Sequence, residues 1–165
     1  MGAEPDPQEL RQVLGHFLTG VTIVTTTGPE GQPVGMTANA FTSVSLEPPL
    51  VLVCVANSAA SFAAMEAADH YAVHFLHADQ HVISSAFAKS AAGGTEKFAG
   101  IEWHPSERGV PLLADSLARL ECRVDQRVEL GDHVAYVARV EAAHAPTGDA
   151  TPLGFYRGAY ARLSG

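Results

Sequence analysis

From Val21 to Thr27 the chain reads Val-Thr-Ile-Val-Thr-Thr-Thr, β-branched throughout, which is the composition of a strand. Gly28-Pro29-Glu30-Gly31 predicts a turn, and Pro33 to Thr37 returns as the second strand of a hairpin. Ahead of this hairpin the period changes. Leu10, Val13, Leu14, Phe17 and Leu18 recur at helical spacing and give one apolar face. With Asp6 as N-cap and Pro7 at the first helical position, a helix is expected from there to about Thr19, stopped by Gly20. Val51 to Ala56 is an unbroken apolar run between Pro48-Pro49 and Asn57, the length of a buried strand. Ser58 to Ala68 is Ala-rich and opens with Ser, so it reads as a short helix; Tyr71 to Leu76 returns to strand, and Asp79 to Lys89 reads as a further helix. Ser90 to Gly94 reads as a mobile loop of small residues. Residues 101–116 hold Trp103, read as packing, and two prolines without a clear period. Leu117 to Val128 and His133 to Ala142 alternate as two long antiparallel strands joined through Leu130-Gly131-Asp132. The tail from Pro152 to Leu163 carries Phe155, Tyr156 and Tyr160 among small residues.

About six strands with two or three short helices predict a mainly β fold, a closed or nearly closed barrel decorated by helices. The 165 residues suit one domain over 1–165, with 1–6 as a disordered lead and neither an internal repeat nor a linker. With 47% hydrophobic and only 17% charged residues, the chain can bury a real core and still leave apolar surface over, so a homodimer is expected.

The net charge of −8 argues against nucleic acid and anionic membrane as partners, because neither finds a basic face. Cys54 and Cys122 both sit in apolar, strand-like runs, which predicts buried free thiols in a reducing compartment. Glu4-Pro5-Asp6-Pro7 interrupts any apolar leader, and no run is long enough to span a bilayer, so a cytoplasmic protein is expected.

Candidate chemistry begins with exclusions. There is no Gly-x-Gly-x-x-Gly after a strand, no Walker A sequence and no Gly-x-Ser-x-Gly elbow. His70, His74, His77 and His81 invite a metal reading, but His74 and His77 stand at an odd spacing on or beside a strand and point to opposite faces. No metal site is therefore assigned, and surface or dimer-contact histidines are the reading preferred. The informative stretch is Gly35 to Pro49, which leaves a strand, strings hydroxyl and amide side chains between small alanines, and ends in a double proline. It reads either as a polar loop satisfying its own backbone or as a ligand loop. In the second case Ala38 and Ala40 let backbone N–H groups approach a flat ring, while Thr37, Asn39, Ser43 and Ser45 bond its heteroatoms.

The segment Gly35–Pro49, with Val51–Ala56 behind it, resembles the signature of the flavin reductase-like, FMN-binding split barrels. More narrowly it resembles the short-chain NAD(P)H:flavin reductases of two-component monooxygenases. The likeness continues in Ser58-Ala59-Ala60-Ser61-Phe62, Glu96-Lys97-Phe98, Gly131-Asp132-His133 and the ending Pro152 to Tyr160, in the family's order and over nearly the whole chain. Ala138 departs from it, since the family often has Gly five residues after the histidine. The resemblance implies a Greek-key split β-barrel that passes a hydride from NADH or NADPH to FMN or FAD and hands reduced flavin by diffusion to an oxygenase or halogenase. It further implies that Thr37, Ala38, Asn39, Ala40, Ser43, Val44 and Ser45 wrap the ring and ribityl chain. Asn57, Ser58 and Ser61 would take the flavin phosphate at a helix start, Lys97 would add a charge to it, and Phe98 would pack on the flavin. Asp132 and His133 would lie beside the nicotinamide, with His133 as the catalytic residue flanking the hydride path. Phe155, Tyr156 and Arg157 would form the rest of the dinucleotide-binding end, with Arg157 on a pyrophosphate or a ring carbonyl. Two rival readings stand beside this one: a non-catalytic flavin-binding or electron-carrier protein of the same fold, and a split-barrel partner subunit binding another cofactor such as haem.

Overall fold

The computed structural model describes residues 4–90 and 94–163. Its frame is an antiparallel sheet built from β2 (Thr22–Thr27), β3 (Pro33–Ala38), β4 (Phe41–Leu46), β5 (Pro49–Ala56), β6 (His70–Phe75), β9 (Ala118–Leu130) and β10 (His133–His144). The strand order is β3-β2-β6-β9-β10-β5-β4. The two edge strands, β3 and β4, are joined by only Asn39 and Ala40, so the sheet must curl until its edges nearly meet. They do not pair with each other, and the result is a barrel with one open seam. Two smaller sheets lean on it: β7 (Trp103–Pro105) with β8 (Pro111–Leu113), and β1 (Thr19–Gly20) with β11 (Leu153–Tyr156) and β12 (Ala159–Arg162). Among the described residues there are three short α-helices, α1 (Pro7–Leu14), α2 (Phe62–Ala67) and α3 (His81–Ala88).

β2 is β-branched throughout because it is covered on both faces. Val24 joins the barrel core with Val53, Tyr71, Val73, Tyr136 and Met65 of α2, while Ile23 faces a second core with Leu76, Phe87, Phe98, Leu113 and Leu153. Its threonines are buried only because each hydroxyl finds a carbonyl: Thr22 donates to Ala38 O at 2.6 Å, Thr25 to Pro111 O at 2.6 Å and Thr26 to His70 O at 2.8 Å. His74, wholly buried on the outer face of β6, ties three strands together. Its Nδ1–H donates to Ile23 O and its Nε2 accepts the Leu113 N–H, each at 3.1 Å.

Several expectations are corrected. α1 is capped by Asp6, whose Oδ1 accepts from Gln8 N at 2.8 Å, but it stops at Leu14, not near Thr19. Thr19 and Gly20 are pulled away to pair with Phe155 and Gly154, a non-local contact that overrides the helical period. α2 starts at Phe62, not at Ser58, after a pair of turns closed by Ala59 N–Ala56 O and Phe62 N–Ala59 O bonds. Residues 41–46, read as loop, form the edge strand β4; a bulge between Ser43 and Ser45 breaks the two-residue period that would have marked it. The aperiodic stretch 101–116 holds the β7–β8 hairpin, and the tail holds β11–β12, so the strands outnumber the six expected. Asp79–Lys89 divides into a 3-10 turn, Ala78–Gln80, and α3. Of the expected mobile loop Ser90–Gly94, residues 91–93 lie outside the described residues, as do residues 1–3 of the lead.

Candidate active site

The corner where the chain crosses from β3 to β4 also brings β5 and β10 together. Ala40 O accepts the Cys54 N–H at 3.0 Å, and His133 is the cross-strand partner of Ala56. A cavity of about 260 Å3 opens here. Met36, Thr37 and Ala38 with the Asn39-Ala40 crossing make one side; Cys54 and Ala56, two residues apart on one face of β5, make another. His133 stands at its edge, and Ala59 to Ser61, the end of α3 with Lys89 and Ser90, and Lys97 complete the wall. Six of the lining side chains are alanine methyls, which leave smooth walls for a planar group.

The polar groups are few and held in place. Thr37 donates its hydroxyl to Ser84 O at 2.6 Å, which fixes β3 to α3. The Ser61 hydroxyl donates to Met36 Sδ at 3.0 Å and accepts no backbone N–H of α2, so it lies on the cavity wall without capping the helix. Lys97 Nζ donates to Phe87 O at 3.1 Å and Gly35 O at 3.3 Å, and the third N–H of the ammonium remains for a ligand. Burial pushes the Lys97 amine below the usual lysine range, and among the described residues no carboxylate comes within ion-pair distance of it. An anion in the cavity would restore what burial takes away.

At the other side, Asp132 Oδ1 lies 2.7 Å from His133 Nδ1. The hydrogen bond to His133, with its charge, holds the Asp132 carboxyl below the usual carboxylate range. With Nδ1–H donated to Asp132, the imidazole presents Nε2 as its free nitrogen. Gly131, with φ 63°, makes the two-residue turn between β9 and β10 that sets this pair at the cavity's edge.

Of the expected site residues, the cavity gathers Thr37, Ala38, Asn39, Ala40, Ser61, Lys97 and His133. It leaves out Asn57 and Ser58, which sit in the turns before α2, and Ser43, Val44 and Ser45, which lie along the exposed edge strand β4. Phe98, expected to pack on the flavin, is buried in the second core, edge-on to Phe87 at 5.0 Å and to Trp103 at 5.6 Å, and is not among the residues lining the cavity. Phe155 packs on that same core and on Tyr160. The Tyr156 hydroxyl meets His16 Nδ1 at 3.3 Å. Arg157, with φ 50° beside Gly158 at 78°, turns the β11–β12 hairpin and donates its N–H to Gly15 O at 2.8 Å. None of these three lines the cavity. Met36, Cys54, Ala56, Phe87, Lys89 and Ser90 do line it and were missed. The alternation of buried Val51, Val53 and Val55 with half-covered Leu52, Cys54 and Ala56 was the available signal, since it gives β5 two working faces.

Residues 14–164 match the flavin reductase like domain. The chain belongs to that family. It is 44% identical over 158 residues to "FMN reductase (NADH) SmoA" of Agrobacterium fabrum, covering 95% of this chain and 86% of the relative. It is 43% identical over 155 residues to "Stachydrine N-demethylase reductase subunit Stc3" of Rhizobium meliloti, covering 94% of this chain and 65% of that subunit, which is less than two thirds of its length. Among solved structures of the family, the Streptomyces globisporus NADH:FAD oxidoreductase SgcE6, in complex with NAD and FAD fragments, superposes with a TM-score of 0.88. The two are 37% identical, with 99% of this chain and 98% of the other covered. The cavity suits the family's cofactor: alanine walls admit a flat tricyclic ring, and Ser61 with the carboxylate-free Lys97 suits an anionic tail.

Elsewhere, the histidines are spread out. His70 lies 3.7 Å from Glu141, His77 3.0 Å from Asp115, and His74 is spent on backbone groups. Among the described residues no three His, Cys, Asp or Glu side chains converge as a metal site would need, and no helix is long and apolar enough to cross a membrane.

Proposed function

We propose that this chain is an NADH-dependent flavin reductase that supplies reduced flavin to a separate flavin-dependent oxygenase or halogenase. The observation that carries the reading is the convergence of Thr37–Ala40, Cys54–Ala56, Ser61, Lys97 and His133 on one smooth-walled cavity at the barrel's seam. When bound there, the flavin supplies the redox chemistry, taking up two electrons as hydride from reduced nicotinamide. The chain's own residues bind and orient. Backbone and side chains of Thr37–Ala40 hold one edge of the ring, and Lys97 and Ser61 take the phosphate. Asn57 and Ser58, in the turns beside Ser61, extend that polar end. His133, oriented by Asp132, places Nε2 where the nicotinamide amide or the reacting edge of the ring meets it, and the walls exclude water.

Reduced nicotinamide would be held beside His133, and Arg157 at the tip of the β11–β12 hairpin would be available to the phosphates of its far end. The protein acts as a homodimer in the cytoplasm. The apolar stripe of α1 is open in the single chain, with Leu14 61% exposed; Phe17, in the turn after the helix, is 76% exposed, and Leu46 on edge strand β4 is 88% exposed. A second copy is what would cover such surfaces. Ser43, Val44 and Ser45, on the same edge strand, then act across that contact.

Anaerobic mixing of the purified protein with NADH and each of riboflavin, FMN and FAD tests the reading by loss of oxidised-flavin absorbance. Catalytic turnover is expected. Tight flavin binding without NADH-dependent bleaching would instead favour the carrier reading, and an absorption band of haem would favour the third.

A further inference from the structure

α2 is a short helix laid against the barrel, and polar contacts hold it at both ends. At one end the Ser61 hydroxyl meets Met36 Sδ of β3 at 3.0 Å. At the other, two cross-strand neighbours, Arg127 of β9 and Tyr136 of β10, grip Glu66 and Ala68. The Tyr136 hydroxyl donates to Glu66 Oε1 at 2.5 Å, and Arg127 Nη2 donates to Ala68 O at 2.7 Å. Arg127 Nε stands 4.0 Å from the same carboxylate, and its guanidinium lies 5.9 Å from the centre of the Tyr136 ring. Among the described residues no other side chain outside residues 61–68 hydrogen-bonds to that segment.

Between these two pins the helix is held by apolar contact, with Met65 in the barrel core and Phe62 packed against it. Hydrophobic contact is not directional, so it keeps α2 on the barrel without fixing where along the barrel it sits. Hydrogen bonds fix position, because they weaken steeply with distance and angle. Tyr136 is wholly buried, and an unpaired hydroxyl there would be costly, so the ring in the core commits its oxygen to Glu66. Burial, and then the bond to Glu66 and its charge, push the Tyr136 phenol above its usual range, so the hydroxyl keeps its proton and remains the donor. Ser61 precedes Glu66 by about one and a half turns of the same segment, short enough for a shift at one end to reach the other.

Resting on the reading of Ser61 as a ligand of the flavin phosphate, we propose that Tyr136, Glu66 and Arg127 are positioning residues whose grip on the far end of α2 holds Ser61 where the phosphate meets it. Titration calorimetry of the purified protein with FMN and riboflavin reads this without turnover, since riboflavin carries the same ring and no phosphate. Tyr136→Phe keeps the ring in the core and deletes only the hydroxyl; it is expected to weaken FMN about fivefold and leave riboflavin within about twofold. Glu66→Ala, at a side chain 42% exposed and therefore safe for folding, should do the same. Glu66→Gln retains an acceptor for the hydroxyl and should bind FMN within about twofold of the wild type. The double variant Tyr136→Phe/Glu66→Ala should lose no more than either single one, because both remove the same bond. Equal losses for the two flavins, or a lowered melting temperature with both affinities kept, would mark a purely structural contact and overturn the proposal while leaving the reductase reading standing. If the wild type bound riboflavin as tightly as FMN, the phosphate role of Ser61 would fall and this proposal with it. If it bound neither, the flavin reading itself would fall as well.

Discussion

His74 makes the stability of this fold depend on pH in a way that can be worked out from its surroundings. Its ring is wholly buried between β2, β6 and β8, with both nitrogens committed to neutral backbone partners. Burial, the larger cause, and the nearby Arg119 charge push its pKa down from 6.5 to about 4, against the raising effect of the bond to Ile23 O. In the unfolded chain the imidazole takes up a proton near 6.5, while in the folded chain it resists until about 4. Its contribution to stability is therefore fully present above 6.5, is lost as the pH falls from 6.5 through 4, and loses nothing more below that. Because one proton changes stability by ~1.4 kcal/mol per pH unit, the interval from 6.5 to about 4 corresponds to roughly 3 kcal/mol. That is a large part of a typical domain stability of ~5–15 kcal/mol. Urea denaturation followed by circular dichroism at a series of pH values between 7 and 4, on the wild type and His74→Gln, measures it. The variant has lower stability at pH 7, since an amide cannot meet both backbone partners as the ring does, but its stability falls less steeply on acidification. The difference between the two curves isolates His74 from the other seven histidines. Parallel curves would refute the account.

Gly35→Ala would place a methyl 2.4 Å from Phe87 and 3.2 Å from Phe98, so the aromatic pair behind the cavity must shift; a loss of about 1–3 kcal/mol is expected by thermal melting. Asp132→Asn should leave flavin affinity intact and slow the bleaching of bound flavin by NADH in a single turnover, because it removes the charged acceptor that orients His133. An unchanged rate would sink that role. Lys97→Met should weaken FMN by about tenfold more than riboflavin, the worth of one charge-assisted contact, as read by titration calorimetry. Phe17→Asp should shift the species seen by light scattering toward monomer, since it sets a charge in the exposed apolar surface that continues from α1 into the turn after it.

How legible each part was follows from where its information resides. The β9–β10 pair was readable because alternation and a Gly-Asp turn are local features, and the register His133–Leu130 follows from a two-residue turn. β4 was not, because the bulge at Ser43 disturbs the period and a run of hydroxyl side chains reads as loop. Part of the cavity was found from the Thr37–Ala40 corner, from Ser61 and from the Gly-Asp-His turn. The neighbours of Phe98 were not legible, because an aromatic next to a candidate ligand residue looks the same whether it faces the ligand or the core. Only the packing of Phe87 and Trp103 around it decides.

By itself, then, the order of amino acids determined what depends on neighbours along the chain. That includes the strand character of Val21–Thr27, the Asp6 cap, the turn that presents Asp132 and His133, and the family to which these motifs belong. Tertiary structure alone decided what depends on groups far apart in sequence: the closure of edges β3 and β4 into a seam, the early end of α1 in favour of the Thr19–Phe155 pairing, and the gathering of Thr37, Ser61, Lys97 and His133 around one cavity. The physical reason is that backbone preferences and turn chemistry act over a few residues. Burial, cavity shape and the fate of a lone ammonium are instead set by whichever distant groups the barrel brings against them.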